Sequence, residues 1–152
     1  MVSLHLWEEL YMKIRPARDT DMNLVLSTWM SSVFSCYEHY AGRIHGTDRK
    51  SIRPFPSKGV FFEGHQLKIK ALLLSPKTEC LVCVAPDDDN QIIGWIVFDP
   101  DTVHYCYVKH VFRKYGAAKA LMKMPKTAKF YSHHTTHSKY INQGLTFDPY
   151  KF

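Results

Sequence analysis

The sequence predicts an α+β fold, a mixed and mostly antiparallel sheet of six to seven strands flanked by about four helices. Three observations carry that reading. Between Glu79 and Val108 three strand-like runs follow one another with only short polar turns between them, which is the signature of an antiparallel meander. Upstream, the segments from Met22 and from Phe61 to Leu74 read as helices. Downstream, an aromatic strand passes through a short loop and one glycine into Ala117-Ala118-Lys119-Ala120-Leu121-Met122, a run of strong helix formers.

Taken in order, residues 1–11 form an N-terminal extension, amphipathic helix or extra strand, outside the main pattern. Lys13-Ile14-Arg15-Pro16-Ala17 reads as a first strand closed by proline. Asp19 or Thr20 can cap the next helix, in which Leu24, Val25, Trp29, Val33, Phe34 and Tyr37 recur at steps of three and four. Residues 40–58, with the breakers Gly42, Gly46, Pro54 and Pro56 and the cations Arg43, Arg49, Lys50 and Arg53, read as a long basic loop. The helix from Phe61 stops at Ser75-Pro76.

Glu79–Ala85 is the first strand of the meander, and Asp87-Asp88-Asp89-Asn90 is expected to turn it into Gln91–Phe98. Asp99-Pro100-Asp101 turns the chain again into Val103–Val108. After the helix from Gly116 to Lys123, Pro125 breaks the pattern and Ala128–Tyr131 makes a fifth strand. His134–Gln143 reads as a short helix with Gly144 as its C-cap, and Leu145–Phe147 and Tyr150–Phe152 supply one or two last strands.

Composition narrows the classes. A chain of 152 residues with 45% hydrophobic and 14% aromatic residues reads as one folded domain, residues 1–152, rather than a disordered chain. Its longest apolar runs fall short of a membrane span, and its N-terminus lacks the basic head and apolar centre of a signal peptide, so a cytoplasmic protein is expected. Cys36, Cys80, Cys83 and Cys106 give no disulfide framework. Cys80 and Cys83 form a C-x-x-C, but on a strand residues three apart face opposite ways, so both are read as buried small hydrophobes.

The net charge of +6 is uneven, because residues 102–152 hold nine lysines and arginines against Asp148 alone. A solvated basic face explains any such excess, and a polyanionic cofactor or nucleic acid would also answer it. The excess surrounds Val108–Met122, where a loop with Gly116 at the helix entry presents unpaired backbone N–H groups suited to phosphate. Arg113, Lys114 and Lys119 add charge, while Gly116, Ala117 and Ala118 leave room for close approach. Neither a P-loop nor a dinucleotide fingerprint is present.

The segment Arg113-Lys114-Tyr115-Gly116-Ala117-Ala118, set after an aromatic strand, resembles the [RQ]-x-x-G-x-[GA] segment of the GNAT N-acyltransferase superfamily. The phrase Ile14-Arg15-Pro16-Ala17 and the order of elements over residues 12–152 are similar to that family, whose small phage and bacterial members have this size. The resemblance implies a GNAT fold, an N-acetyltransferase activity, and acetyl-CoA as co-substrate. It implies that the backbone of Tyr107 and Val108 meets the acyl carbonyl and pantetheine. The N–H groups of Arg113, Lys114, Tyr115, Gly116, Ala117 and Ala118 would then hold the pyrophosphate.

By the same resemblance, Tyr140 in Tyr140-Ile141-Asn142-Gln143-Gly144-Leu145 matches the family's Y-x-x-x-G-[FL] acid that protonates the departing thiolate. His104 is a candidate to take the amine proton through water. The acceptor would enter beside the first two helices, lined by Trp29, Tyr37, Tyr40 and Arg43. His133, His134 and His137 cluster near the fifth strand, where contact with CoA or acceptor is expected and no metal. Cys106 keeps a covalent route open, although direct transfer in a ternary complex is the leading expectation. The competing class is a catalytically inactive module of the same fold that binds nucleic acid or protein. The sequence leaves open which amine is acetylated and whether the edge strands pair into a homodimer.

Overall fold

The computed structural model describes residues 12–44, 57–133 and 144–152, with the side chains of 36–44 outside that description. The element order is β1 (Lys13–Pro16), α1 (Met22–Ile44), α2 (Lys58–Leu74), β2 (Glu79–Ala85), β3 (Asp88–Phe98), β4 (Thr102–Val108), α3 (Ala117–Met122), β5 (Phe130–Tyr131) and β6 (Thr146–Phe147). The strands form one sheet in sequence order, antiparallel from β1 to β4 and parallel from β4 through β5 to β6. This is the α+β, mixed sheet that the sequence predicts, with three α-helices among the described residues. The fourth expected helix, over 134–143, and residues 1–11 lie outside them.

Both faces of the sheet are covered, so the central strands read as nearly continuous apolar runs instead of alternating ones. Val82, Val84, Trp95, Val97 and Tyr105 face α1 and α2, where Val25, Trp29, Met30 and Ile69 meet them. The intervening Cys83, Ile96, Phe98, Val103 and Val108 face α3 and pack on Ala117 and Leu121. Cys80 packs at the margin of the first cluster and Cys83 within the second, so the C-x-x-C pair is split across the sheet as expected. Burial pushes the two thiols up to about 12 and about 11.

Several boundaries differ from the sequence reading, each for a local reason. The helix cap expected at Asp19 or Thr20 is replaced by a 3-10 turn over Asp19–Asp21, where the Asp21 carboxylate accepts from the Arg18 N–H at 2.7 Å. That same carboxylate takes a forked pair from Arg15 at 2.7 and 3.3 Å, which ties β1 to the start of α1. Helix α2 begins at Lys58, ahead of Phe61, because the Ser57 hydroxyl accepts from the Val60 N–H. The β2–β3 turn is tighter than the acidic run suggests. Strand β3 starts at Asp88, opposite Ala85, and Asp89 is held by Lys13 at 3.0 Å and Arg18 at 3.2 Å. At the other end of the chain, Pro149–Lys151 is a 3-10 turn capped by Asp148, not a strand.

Candidate functional site

Strand β4 positions the site. The Lys109 N–H donates to Ile93 O at 2.9 Å, and Gly94 stands opposite Val108. That phase places Tyr107 and Tyr105 in hydrogen-bonded pairs with Trp95 and Val97, and turns the amides of Cys106 and Val108 away from β3. The register then slips: Val97 faces Tyr105 but Phe98 faces Val103, leaving His104 as a bulge residue. Below the bulge the Val103 carbonyl accepts from the Ser132 N–H at 3.1 Å, on the β5 side.

Strands β4 and β5 pair only at Thr102–Phe130 and Val103–Tyr131. Beyond that vertex, β4 continues to Val108 with no strand partner on its β5 side among the described residues. The Cys106 and Val108 amides therefore point into an opening between the two strands. Tyr107, which the sequence reading pairs with the ligand, spends its backbone groups on Trp95 and stacks its ring on the same residue at 5.9 Å. In this phase the amide that faces the opening beside that of Val108 is the Cys106 one. Burial, with Cys83 nearby, pushes the Cys106 thiol up to about 12, which suppresses the thiolate a covalent route needs.

The opening leads to the loop before α3. A 3-10 turn over His110–Phe112 brings the chain round, and Arg113 folds back so that its Nε donates to Val108 O at 3.0 Å. Lys114 and Gly116 both adopt left-handed backbone, with φ of 72° and 89°. Glycine accepts that conformation without strain, and lysine does not. Ala117 is buried against the sheet, which fixes the first turn of α3 close to β4. Lys114, Lys119 and Lys123 are exposed around it. Tyr115 is 72% exposed, and with Phe112 and Val111 it lines a cavity of about 650 Å³ beside the β2–β3 turn. The sequence offers no sign of that cavity.

On the α1 and α2 side of the vertex lies an aromatic cluster. Trp29 is fully buried, 5.5 Å from Trp95, Tyr105 and His133 between ring centres, and the Phe152 ring reaches in to 4.3 Å from His133. Among the described residues the buried Trp29 indole N–H has no hydrogen-bond partner, and a buried donor left so carries a cost of about 1–3 kcal/mol. The Trp95 indole and the Tyr105 hydroxyl are satisfied by Thr28 and Ser32 of α1. The side chains of Tyr37, Tyr40 and Arg43, and all of Tyr140, His134 and His137, lie outside the described residues.

His104 is itself buried, 1% exposed, and both its ring nitrogens are engaged. Nε2 lies 2.9 Å from Asp99 Oδ2 and Nδ1 lies 2.9 Å from Ser132 Oγ. The Thr78 hydroxyl donates to the other Asp99 oxygen at 2.7 Å. Ser132 Oγ also lies 2.9 Å from His133 Nδ1. Burial first, then the neighbouring His104 and His65, push His133 down to about 3, offset in part by a hydrogen bond with the His104 backbone. Sequence reasoning missed Asp99, which reads as a turn residue, and Ser132, which carries no motif. Among the described residues, no three His, Cys, Asp or Glu side chains are grouped to hold a metal ion. No helix there is long and apolar enough to cross a membrane.

No protein-family model matches the chain, and no curated protein matches it in sequence. Solved structures do match it in fold. A GCN5-related N-acetyltransferase from Ralstonia eutropha JMP134 is similar at a TM-score of 0.57 and 16% identity, over 89% of this chain and 92% of that one. A Pyrococcus furiosus protein assigned as an acetyl transferase is similar at a TM-score of 0.58 and 14% identity, over 87% and 90%. The chain thus has the GNAT fold.

Proposed function

We propose that the protein is an N-acetyltransferase that moves an acetyl group from acetyl-CoA to a primary amine by direct attack in a ternary complex. The observation that carries this reading is the opening of β4 from β5 just past Val103 and Tyr131. It directs the Cys106 and Val108 amides along a path that ends at the loop of residues 113–118.

The residues present suit such a co-substrate. The left-handed Gly116, the small Ala117 and Ala118 and the surrounding lysines leave space and charge for a pyrophosphate. Arg113 braces the loop through Val108 O. The co-substrate supplies an activated thioester, and the chain needs to polarise its carbonyl, orient an amine and manage two protons. The direction of the Cys106 and Val108 amides, into the opening, supports giving them the first task. Tyr140, from the family resemblance, is the acid for the thiolate. The acceptor enters on the α1 and α2 side, where the buried Trp29 N–H has no hydrogen-bond partner among the described residues and can meet an oxygen or nitrogen lone pair. The raised Cys106 thiol favours direct transfer over a covalent intermediate.

Thiol release from acetyl-CoA, followed with a panel of primary amines, tests the activity. Tyr140→Phe is expected to slow transfer by about tenfold or more while leaving acetyl-CoA affinity unchanged. An unaffected rate removes Tyr140 from the mechanism.

A further inference from the structure

Four polar side chains form an unbroken line at the vertex of the opening: Asp99, His104, Ser132 and His133, each 2.9 Å from the next. One end meets the aromatic cluster, through the contacts of His133 with Trp29, Tyr105 and Phe152. The other end is Asp99, which lines a cavity of about 280 Å³ with Lys77, Glu79, Lys126 and Thr127, beside the end of α3. Buried polar side chains are costly to keep, so a connected set of them at one point in a sheet calls for a reason.

The direction of the hydrogen bonds follows from the acceptor-only carboxylate. Asp99 accepts, so His104 carries its ring proton on Nε2 and turns the Nδ1 lone pair toward Ser132. The Ser132 O–H then donates to His104, and the serine oxygen keeps lone pairs for donors on the cluster side. This is the arrangement by which a carboxylate orients an imidazole that in turn activates a hydroxyl. Here it stands at the inner end of the opening, where acyl group and acceptor must meet if the acetyltransferase reading holds, and the inference rests on that reading.

We propose that Ser132, backed by His104 and Asp99, takes the proton from the acceptor's ammonium group. The N–H bond of the acceptor breaks and its electron pair stays on nitrogen. The proton passes to Ser132 Oγ as the serine's own proton passes to His104 Nδ1, so the serine ends neutral and His104 becomes an imidazolium held by Asp99. The freed lone pair then forms the C–N bond. Ser132 touches the substrate, whereas His104 and Asp99 act through it, and His104 serves as base by way of a hydroxyl instead of a water. The titratable and charged groups around the imidazole are Asp99, Lys77 at 3.9 Å from the Asp99 carboxylate, His133 and, across Phe152, His65.

The test compares Ser132→Ala, His104→Gln and Asp99→Asn with the unaltered chain. Acetyl-CoA affinity is read by calorimetry, and thiol release from acetyl-CoA is followed against pH with primary amines and with water alone. Transfer is expected to fall at least tenfold in Ser132→Ala and His104→Gln with acetyl-CoA affinity held within twofold. In His104→Gln the pH dependence should change, with transfer then following only the amine's own loss of its proton. Asp99→Asn keeps the shape and the Thr78 contact, so it decides the matter if the other two fail to fold, and its rate should fall as well. Unchanged rates with an unchanged pH dependence overturn the relay alone. Acetyl-CoA binding without thiol release in the unaltered chain overturns relay and transfer together, and absence of acetyl-CoA binding overturns the co-substrate itself.

Discussion

His104 and Ser132 meet across the vertex between β4 and β5, Nδ1 to Oγ at 2.9 Å, although they stand 28 positions apart in the chain. The contact ties the bulge of one strand to the end of the other at the last point where the two are paired. What lies above the vertex can open because what lies at it is held. The same geometry makes Arg113 the upper brace, since its side chain closes on Val108 O at 3.0 Å.

Removing that upper brace should affect the loop more than the fold. Arg113→Ala deletes the bond to Val108 O and one positive charge at the loop. A charge-assisted hydrogen bond of this kind is worth about 1.5–3 kcal/mol. The melting temperature is therefore expected to fall by several degrees, and the loop, unbraced and one charge short, should lose about tenfold or more in acetyl-CoA affinity. Calorimetry and a thermal melt on the same sample check this, and a large loss of stability with intact affinity would contradict it.

Gly94 tests the packing of β3 on β4. A Cβ built there lies 2.5 Å from the backbone oxygen of Tyr107, and 3.1 Å from a Val108 methyl, so β3 and β4 would have to part. Gly94→Ala should cost about 1–3 kcal/mol, and urea unfolding measures it. Because the strain falls on the strand whose amides line the opening, acetyl-CoA affinity should fall with stability.

Stability should begin to fall with acid well above the carboxylate range. His133 is pushed down to about 3 and His65 is also lowered, both chiefly by burial. A histidine depressed in the folded state contributes stability that is complete above its ordinary value near 6.5 and is lost as pH falls toward its folded value. The loss from His133 thus runs between about pH 6.5 and 3, at about 1.4 kcal/mol per pH unit while one proton is taken up. Asp21, lowered mainly by its hydrogen bond from Arg15, adds its loss only below the usual carboxylate value. Unfolding midpoints measured across this range should slope from the neutral side, and His133→Phe should flatten the slope. A flat profile in the unaltered chain would place His133 in contact with solvent.

Much of the fold was legible because its signals are local. The meander announces itself by three apolar runs and their turns, and Gly116 marks a strand-to-helix loop that the structure confirms with φ of 89°. The exceptions are also local. Ser57 extends α2 backward through a single hydroxyl, and the salt bridges of Asp89 draw the acidic turn into β3. What could not be read is the phase of β4. A one-residue bulge at His104 decides which amides face the opening, so those of Cys106 and Val108 do and that of Tyr107 pairs with Trp95. No sequence spacing reports a bulge, nor does any motif join Asp99, His104 and Ser132.

The most direct measurement is the titration of acetyl-CoA into the unaltered chain and into Gly116→Asp, by calorimetry. An aspartate at Gly116 puts a strained backbone and a negative charge where the pyrophosphate is proposed to rest. Micromolar binding that Gly116→Asp abolishes, with the protein still folded and its melt lowered by a few degrees, is the expected result. Absent binding in the unaltered chain, or affinity undiminished by the aspartate, would contradict the proposed site.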